Sequence, residues 1–214
     1  MKIFILLLLS GVISVDRNNA LNLMLSRPIV IAMIASILYG GSETLILIGI
    51  IFELIGLIDL PVGAHIPKDD TFAAYAMCAI YVLGYLTNVV DFIIAFLSVL
   101  LLMRFLTAFD VYTRNISRKL YNKFERLENF DSGRLLYAGV FISFLKGLIF
   151  YNLATFIVIL VVVNIYIPIE LNINLYLSMI VVIVSAYFLE FVDIRGFRKH
   201  LLLIGGFLIG WLIG

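Results

Sequence analysis

The chain of 214 residues is strongly apolar, with 64% hydrophobic and 14% charged residues, whereas about a quarter of the residues in soluble domains are charged. This composition excludes an ordinary soluble domain and predicts a single all-α, polytopic integral membrane domain over residues 1–214. At about 20 residues per span, such a chain holds about six to eight crossing or half-crossing segments. The formal net charge of +1 does not indicate a nucleic-acid partner, and we expect none.

Residue types that carry common chemistry are sparse. Cys78 is the single cysteine, so no internal disulfide can form, and the two histidines are far apart in the sequence, which predicts no metal site. The sequence contains no P-loop, HExxH, CxxC or GxSxG motif. We therefore expect no cofactor and no self-contained ATPase, protease or hydrolase, and we assign Cys78 to helix packing.

The N-terminal segment Ile3–Ser14 is short and apolar and follows a basic start. This pattern is shared by secretory signal peptides and by first membrane segments. Because no good small-x-small cleavage site precedes Arg17, we favour an uncleaved first segment, and the signal peptide remains the alternative.

Two apolar segments, Ile29–Tyr39 and Leu45–Ile58, come next and are separated by residues 40–43. Each is well short of the about 20 residues that a membrane-spanning helix needs. Short, interrupted halves are typical of broken or re-entrant helices that line the binding site of a transporter. Small residues of the first half share one helix face: Ala32, Ala35, Ser36 and Gly40.

Glu53 is the carboxylate of the second half. It lies between Gly49 and Gly56 at i, i+4 and i+7, on a face where helix backbones can approach closely. We therefore expect Glu53 to point at protein or at a cavity. An ionisable group at membrane depth is a functional candidate; a structural carboxylate satisfied by a neighbouring helix is the alternative.

A turn that contains Pro and Asp residues spans residues 60–70. Asp69 and Asp70 end it and precede an apolar helix predicted over Thr71–Thr87, and carboxylates are stabilising at helix N-termini. We interpret Asp70 as a cap. For Asp69, a cap and a place in a binding site are both open.

A stripe of small and polar residues predicts the next membrane helix, with one face on protein or on a hydrated path. Asp91 is its ionisable member and the third carboxylate candidate. The stripe recurs at helical spacing: Gly84, Asn88, Asp91, Ala95 and Ser98.

Charged residues become frequent between Arg104 and Arg134. We predict one long polar loop here, part of it an amphipathic helix at the membrane interface, because its apolar residues keep near-helical spacing. Its basic residues place it in the cytoplasm by the positive-inside bias. It either docks a soluble partner or binds anionic lipid.

The segment Leu135–Ile167 is too long for one upright helix and predicts either a tilted span or a second broken pair. Its Lys146 has three possible roles: a pair with Glu53, a pair with Asp91, or extension to an interface. Leu175–Val192 predicts a further span. The last segment has a glycine face for internal packing, a partner subunit or a second copy of the chain: Gly206, Gly210 and Gly214.

The first third of the chain also contains short motifs: Asp16-Arg17, Ser26-Arg27-Pro28-Ile29-Val30, Gly49 with Phe52-Glu53-Leu54, Pro61-Val62-Gly63-Ala64, and Ile66-Pro67-Lys68-Asp69-Asp70. Together they resemble the membrane subunit IIC of the mannose/fructose/sorbose class of bacterial phosphoenolpyruvate-dependent sugar phosphotransferase systems. That family usually has a Gly-Asp-x-x-x-Gly step between the two halves, where this chain has Gly41 and Leu45 in place of the Asp and the second Gly. The departure leaves an alternative, a divergent non-transporting subunit or scaffold of the same family.

The resemblance implies a multi-pass permease of the cell (inner) membrane that translocates a sugar and is not itself an enzyme. The implied partners are a IID-like membrane subunit and IIA- and IIB-like soluble phosphocarriers, which the polar loop would dock. A sugar must exchange its hydration shell for fixed donors and acceptors. We therefore predict a sugar site from these residues: Glu53, Asp69, Gly63, His65, Pro67 and Asp91. His65 is otherwise an ordinary loop histidine, and an intramembrane enzyme that uses Glu53, Asp69 and Asp91 on a lipid-borne substrate is a further alternative.

Overall fold

A computed structural model of the protein describes residues 2–18, 23–58, 67–125 and 132–165. Within these ranges the chain forms helices and connecting turns without a β-strand, which confirms the predicted all-α fold. In chain order the elements are α1 (Lys2–Asn18), α2 (Pro28–Tyr39), α3 (Glu43–Ile58), α4 (Asp70–Val82), α5 (Val89–Glu125), α6 (Ser132–Lys146), a π-helical turn (Gly147–Tyr151) and α7 (Asn152–Asn164).

Two stretches of the described helices are long and apolar enough to cross a membrane. They are Val90–Lys119 in α5 and Leu136–Asn164, which runs through α6, the π-turn and α7. A helix of 30 residues rises about 45 Å, more than the about 30 Å of a bilayer's hydrocarbon core. The sequence left open whether Leu135–Ile167 is one span or two halves, and the structure gives one continuous helical span with a π-turn in it.

The two short apolar segments form separate helices, as predicted. α2 has 12 residues and α3 has 16, which correspond to about 18 Å and 24 Å. Gly40 and Gly41 reverse the chain between them with positive φ angles of 106° and 72°, which glycine adopts without steric cost. Their N–H groups both donate to the carbonyl of Ser36, at 3.1 Å and 2.7 Å. The broken pair is therefore a helical hairpin too short to cross the bilayer upright.

Two of the predicted small residues, Ala32 of α2 and Gly49 of α3, meet in the contact between these helices. A Cβ at Gly49 would overlap the Cβ of Ala32, so the two helices approach closely only because residue 49 is glycine. At the tip of the hairpin, Ser42 Oγ donates to the hydroxyl of Tyr81 on α4 at 2.8 Å. The hairpin is thus held at its contact face and at its tip.

Helix α4 forms the centre of the fold. Each residue from Thr71 to Ile80 is buried, and the helix contacts α1, α2, α3, α5 and α7. Cys78 is buried among these contacts, in agreement with its assignment to packing. By contrast, large apolar side chains of the outer helices are exposed, as expected of surfaces that face lipid: Leu97, Leu101, Phe105, Leu153, Phe156 and Leu160.

Three predicted boundaries differ from the structure. The helix predicted over Thr71–Thr87 corresponds to α4, which ends at Val82. The stripe from Gly84 to Ser98 is not one helix, because Gly84 has a φ of 83° and α5 begins only at Val89. The polar segment that begins at Arg104 is not separated from the preceding span, since α5 continues unbroken to Glu125. The remainder of the predicted loop, residues 126–131, lies outside the described residues, as do Leu175–Val192 and the glycine face at 206–214.

Candidate functional site

The end of α1 is tied to the turns that follow it by a pair of adjacent charged residues. Asp16 accepts hydrogen bonds from the backbone N–H groups of Leu23 at 2.7 Å and Ser26 at 2.8 Å. Arg17 points to the start of α4, where it donates to Asp70 Oδ1 at 2.5 Å. It also donates to Thr71 Oγ1 at 2.6 Å and to the carbonyl of Lys68 at 2.9 Å. The Asp-Arg motif therefore fixes both the end of α1 and the beginning of α4.

Asp69 is fully buried and serves as the N-cap of α4, accepting from the N–H of Phe72 at 3.0 Å. The hydroxyl of Tyr151 donates to its two oxygens, at 3.1 Å and 2.9 Å. Arg17 Nη1 lies 3.3 Å from Oδ1, and Lys146 Nζ lies 3.7 Å from Oδ2. Of the two roles that the sequence left open for Asp69, the structure shows the cap and adds a second role in a network of charges.

Lys146 lies between two carboxylates. It forms an ion pair with Asp110 of α5 in addition to its contact with Asp69, and its side chain is 1% exposed. The partners that the sequence suggested, Glu53 and Asp91, were wrong, and so was extension to an interface. Lys146 is the last residue of α6, directly before the π-turn, and its side chain is buried in the bundle.

These side chains form one group, in which Arg17 and Asp70 are half-buried and the others are buried, and we call it the charged cluster: Arg17, Asp69, Asp70, Asp110, Lys146 and Tyr151. Two cations face three carboxylates, and each charge has at least one partner of opposite sign. Charges removed from water are costly unless they are paired and hydrogen-bonded. The cluster therefore joins α1, α4, α5 and the π-turn at one point that tolerates little displacement.

Glu53 has a more open environment. Its side chain is 20% exposed, and Oε1 lies 3.2 Å from Arg27 Nη1, whose side chain is 52% exposed. Oε2 accepts from the N–H of Ile29 at 3.3 Å, in the first turn of α2, where Arg27 provides no side-chain cap. The prediction that Glu53 points at protein is confirmed, and its carboxylate caps α2 from the neighbouring helix. On the same face of α3, a Cβ at Gly56 would overlap the carboxylate of Asp70.

Asp91 has a local role at the beginning of α5. It accepts from the N–H and the hydroxyl of Thr87, at 3.3 Å and 2.7 Å, and from the N–H of Asn88 at 3.1 Å. It is a helix cap, not a member of the charged cluster. Pro67 is half-buried next to the cluster, whereas Gly63 and His65 lie outside the described residues.

Five members of the cluster were not predicted from the sequence to belong to a site: Arg17, Asp70, Asp110, Lys146 and Tyr151. For Asp110 a signal exists, since Val99, Met103, Leu106 and Asp110 follow one another at i, i+4, i+7 and i+11, and all four are buried. Asp110 therefore continues the inner face of the preceding span. Within the described ranges, no three His, Cys, Asp or Glu side chains are arranged to hold a metal ion.

Comparison with protein families decides the relationship that these motifs suggested. The family model described as the sorbose-specific IIC component of the phosphotransferase system matches residues 1–168 of this chain. The chain belongs to this IIC family. No curated protein and no solved structure matches it.

Membership gives the protein its general function. IIC subunits are membrane-embedded sugar-transport components that work with other subunits of the phosphotransferase system, and a sugar is therefore the substrate. The matched region includes all the described residues, so the helical hairpin, the Pro67–Asp70 turn and the charged cluster all belong to the IIC fold.

Proposed function

We propose that this IIC chain crosses the cell (inner) membrane several times and translocates a sugar of the mannose, fructose or sorbose type together with a IID-like membrane subunit. Soluble IIA- and IIB-like phosphocarriers supply the phosphoryl group, and the IIC chain provides the path. The match to the IIC family over residues 1–168 supports this proposal. The two long apolar spans and the exposed apolar faces of α5 and α7 agree with it.

The observation that carries the proposed sugar site is the environment of Glu53. Its two polar contacts, to Arg27 and to the N–H of Ile29, are 3.2 Å and 3.3 Å long, at or beyond the long end of the usual range. The half-exposed guanidinium has further donors, and a carboxylate can accept more bonds than these two. A hydroxyl-rich ligand at this position would bind to both side chains without leaving a buried charge unpaired.

Apart from Asp91, the other members of the proposed site belong to the Pro- and Asp-containing turn of the sequence, residues 60–70. Asp69 has its oxygens occupied by four partners, so we assign it the role of holding Pro67 and the start of α4 in place. Gly63 and His65 enter through their position in the same turn of the sequence. Asp91 differs from the other members of the proposed site because its three hydrogen bonds are local: they come from Thr87 and Asn88.

The proposed docking surface for a phosphocarrier is the polar end of α5. Its basic side chains are exposed in the described part of the chain: Arg104, Arg114, Arg118 and Lys119. An acidic protein surface and anionic lipid are the two ligands that such a surface attracts.

The sugar site is tested with two carboxylate variants on the same helix. Glu53→Gln and Glu43→Gln both neutralise a glutamate of α3, but Glu43 is an exposed residue of its first turn. The source cells, deleted for this chain and complemented with each variant, are assayed for uptake of labelled mannose, fructose and sorbose. We expect Glu53→Gln to raise the KM at least tenfold and Glu43→Gln to leave it unchanged; a wild-type KM for Glu53→Gln would remove Glu53 from the site.

The partner assignment is tested separately. The chain is purified from its source cells in mild detergent, and associated proteins are identified by mass spectrometry. Recovery of a IID-type membrane subunit in stoichiometric amount is the expected result. Purification of the chain alone, with no loss of sugar uptake when a IID gene is deleted, would contradict the proposal.

A further inference from the structure

The π-turn at Gly147–Tyr151 interrupts a long apolar span at the point where polar residues flank it. Lys146 precedes the turn, Tyr151 ends it, and Asn152 follows it. Single π-turns within α-helices are uncommon and occur frequently at functional sites. The turn therefore requires a physical reason for its position.

The reason lies in the directions of two side chains. In a regular α-helix, residues five positions apart point about 140° away from each other, because each residue turns the helix by about 100°. With i→i+5 hydrogen bonding, the fifth residue returns to nearly the same side. Lys146 Nζ accordingly lies 5.4 Å from the centre of the Tyr151 ring, and both residues contact Asp69.

The π-turn is held in place by contacts with α1. A Cβ at Gly147 would overlap the carbonyl oxygen of Ser10 and the Cβ of Ser14, so the turn packs directly on the α1 backbone. Asn152 donates to Ser10 Oγ and to the carbonyl of Leu148, both at 2.8 Å. The carbonyl within the turn thus keeps a partner, and the turn has a fixed position relative to α1.

Two buried groups therefore converge on one carboxylate. The Tyr151 hydroxyl donates to Asp69 at 2.9 Å, and the ammonium of Lys146 is shared between Asp69 and Asp110. Asp69 in turn caps α4 and is the second residue after Pro67. Both side chains are thus connected through Asp69 to the Pro67–Asp70 turn.

We propose that Lys146 and Tyr151 are positioning residues for sugar binding: through Asp69 they hold the Pro67–Asp70 turn in the arrangement that binds the sugar. This inference rests on the proposed function, in which that turn contributes to the sugar site. Neither residue contacts the sugar. Their effect on affinity arises because a turn that is free to move binds its ligand more weakly than one held in the bound arrangement.

Two tyrosine variants test the proposal. Tyr151→Phe removes the hydroxyl that donates to Asp69 and keeps the ring, which packs on Phe72 at 5.5 Å between ring centres. Tyr137→Phe is the control: it removes a tyrosine hydroxyl from the same span, at a position that is 74% exposed. Uptake of labelled mannose, fructose and sorbose is measured over a range of concentrations in the complemented source cells.

The separation of KM from Vmax distinguishes positioning from a general structural role. A variant that merely folds less well lowers the amount of transporter and hence Vmax, without a change in KM. We expect Tyr151→Phe to raise the KM about tenfold, the factor that corresponds to one hydrogen bond to a charged group, and Tyr137→Phe to keep the wild-type KM. A wild-type KM for Tyr151→Phe, or an equal rise in both variants, would overturn the proposal.

A second variant covers the case in which Tyr151→Phe does not accumulate. Lys146→Arg keeps the positive charge, but its planar guanidinium does not reproduce a compact ammonium shared between two carboxylates. We expect it to raise the KM at least threefold, and an unchanged KM would overturn the proposal. If the wild-type chain takes up none of the three sugars, the proposed function fails and this inference fails with it; if wild-type uptake is normal and both variants have its KM, only the inference fails.

Discussion

Lys146 and Asp110 form an ion pair inside the helical bundle, with side chains that are only 1% and 2% exposed. The pair joins the span that contains the π-turn to α5, and Asp69 extends it to α4. Inside a membrane, no water is available to hydrate the charge that is left when one partner of such a pair is removed. It is therefore a point where the effect of a substitution can be predicted from geometry.

We predict that Lys146→Met destabilises the protein strongly, because it leaves Asp110 without its nearest cation. Removal of one partner of a buried pair costs about 3–5 kcal/mol. The double variant with Asp110→Leu removes both charges and should melt at a higher temperature than Lys146→Met alone. Melting temperatures in detergent measure this, with Asp91→Asn as a control for an exposed cap. A single variant that melts like the wild type would contradict the prediction.

The second prediction concerns Arg17. Its guanidinium donates to Asp70, Thr71 and the carbonyl of Lys68, an arrangement that uses the planar fork of arginine. Arg17→Lys should lose at least one bond to a charged group, worth about 1.5–3 kcal/mol. Arg27→Lys is the matched control, since that residue is 52% exposed and an exposed pair contributes about 1 kcal/mol or less. Equal melting temperatures for the two variants would show that the hydrogen bonds of Arg17 do not contribute this stability.

The third prediction compares two glycines in the contact between α1 and the span that contains the π-turn. A Cβ at Gly147 meets the backbone of Ser10, whereas a Cβ at Gly11 meets the ring of Phe144. A ring at the end of a side chain can move, but a helix backbone cannot. Gly147→Ala should therefore cost about 1–3 kcal/mol, as overpacking usually does, and Gly11→Ala clearly less. The same melting experiment checks the order, and the reverse order would contradict this account of the π-turn.

Features that depend on residues close together in the sequence could be predicted. The hairpin of α2 and α3 followed from two short apolar runs with glycines between them, and the close contact at Gly49 followed from the spacing of small residues. The capping role of Asp69 followed from its position before an apolar helix, whereas Asp70, for which a cap was predicted, is the first residue of α4 and pairs with Arg17. In each correctly predicted case neighbouring residues contain the whole physical cause.

The charged cluster could not be predicted in the same way, because its members come from parts of the chain far apart. Arg17 and Asp69 are separated by 52 positions and Asp69 and Tyr151 by 82, so no periodic pattern connects them. For Lys146 the sequence left open a pair with Glu53, a pair with Asp91 or extension to an interface, and its actual partners, Asp69 and Asp110, lie far from it in the sequence. Asp110 continues the helical spacing of the buried residues before it, but it was assigned to the polar loop because many charged residues follow it.

A last prediction separates affinity from stability at the proposed sugar site. Arg27→Gln removes the cation that faces Glu53 at 3.2 Å, and because the Arg27 side chain is 52% exposed, the free energy of unfolding should fall by about 1 kcal/mol or less. The KM for sugar uptake should nevertheless rise at least fivefold, since the guanidinium is proposed to donate to sugar hydroxyls. Glu43→Gln, at an exposed position of α3, serves as the control for loss of one charge from the hairpin. If Arg27→Gln lowers the melting temperature by many degrees while KM stays constant, Arg27 supports the hairpin through Glu53 and has no part in binding the sugar.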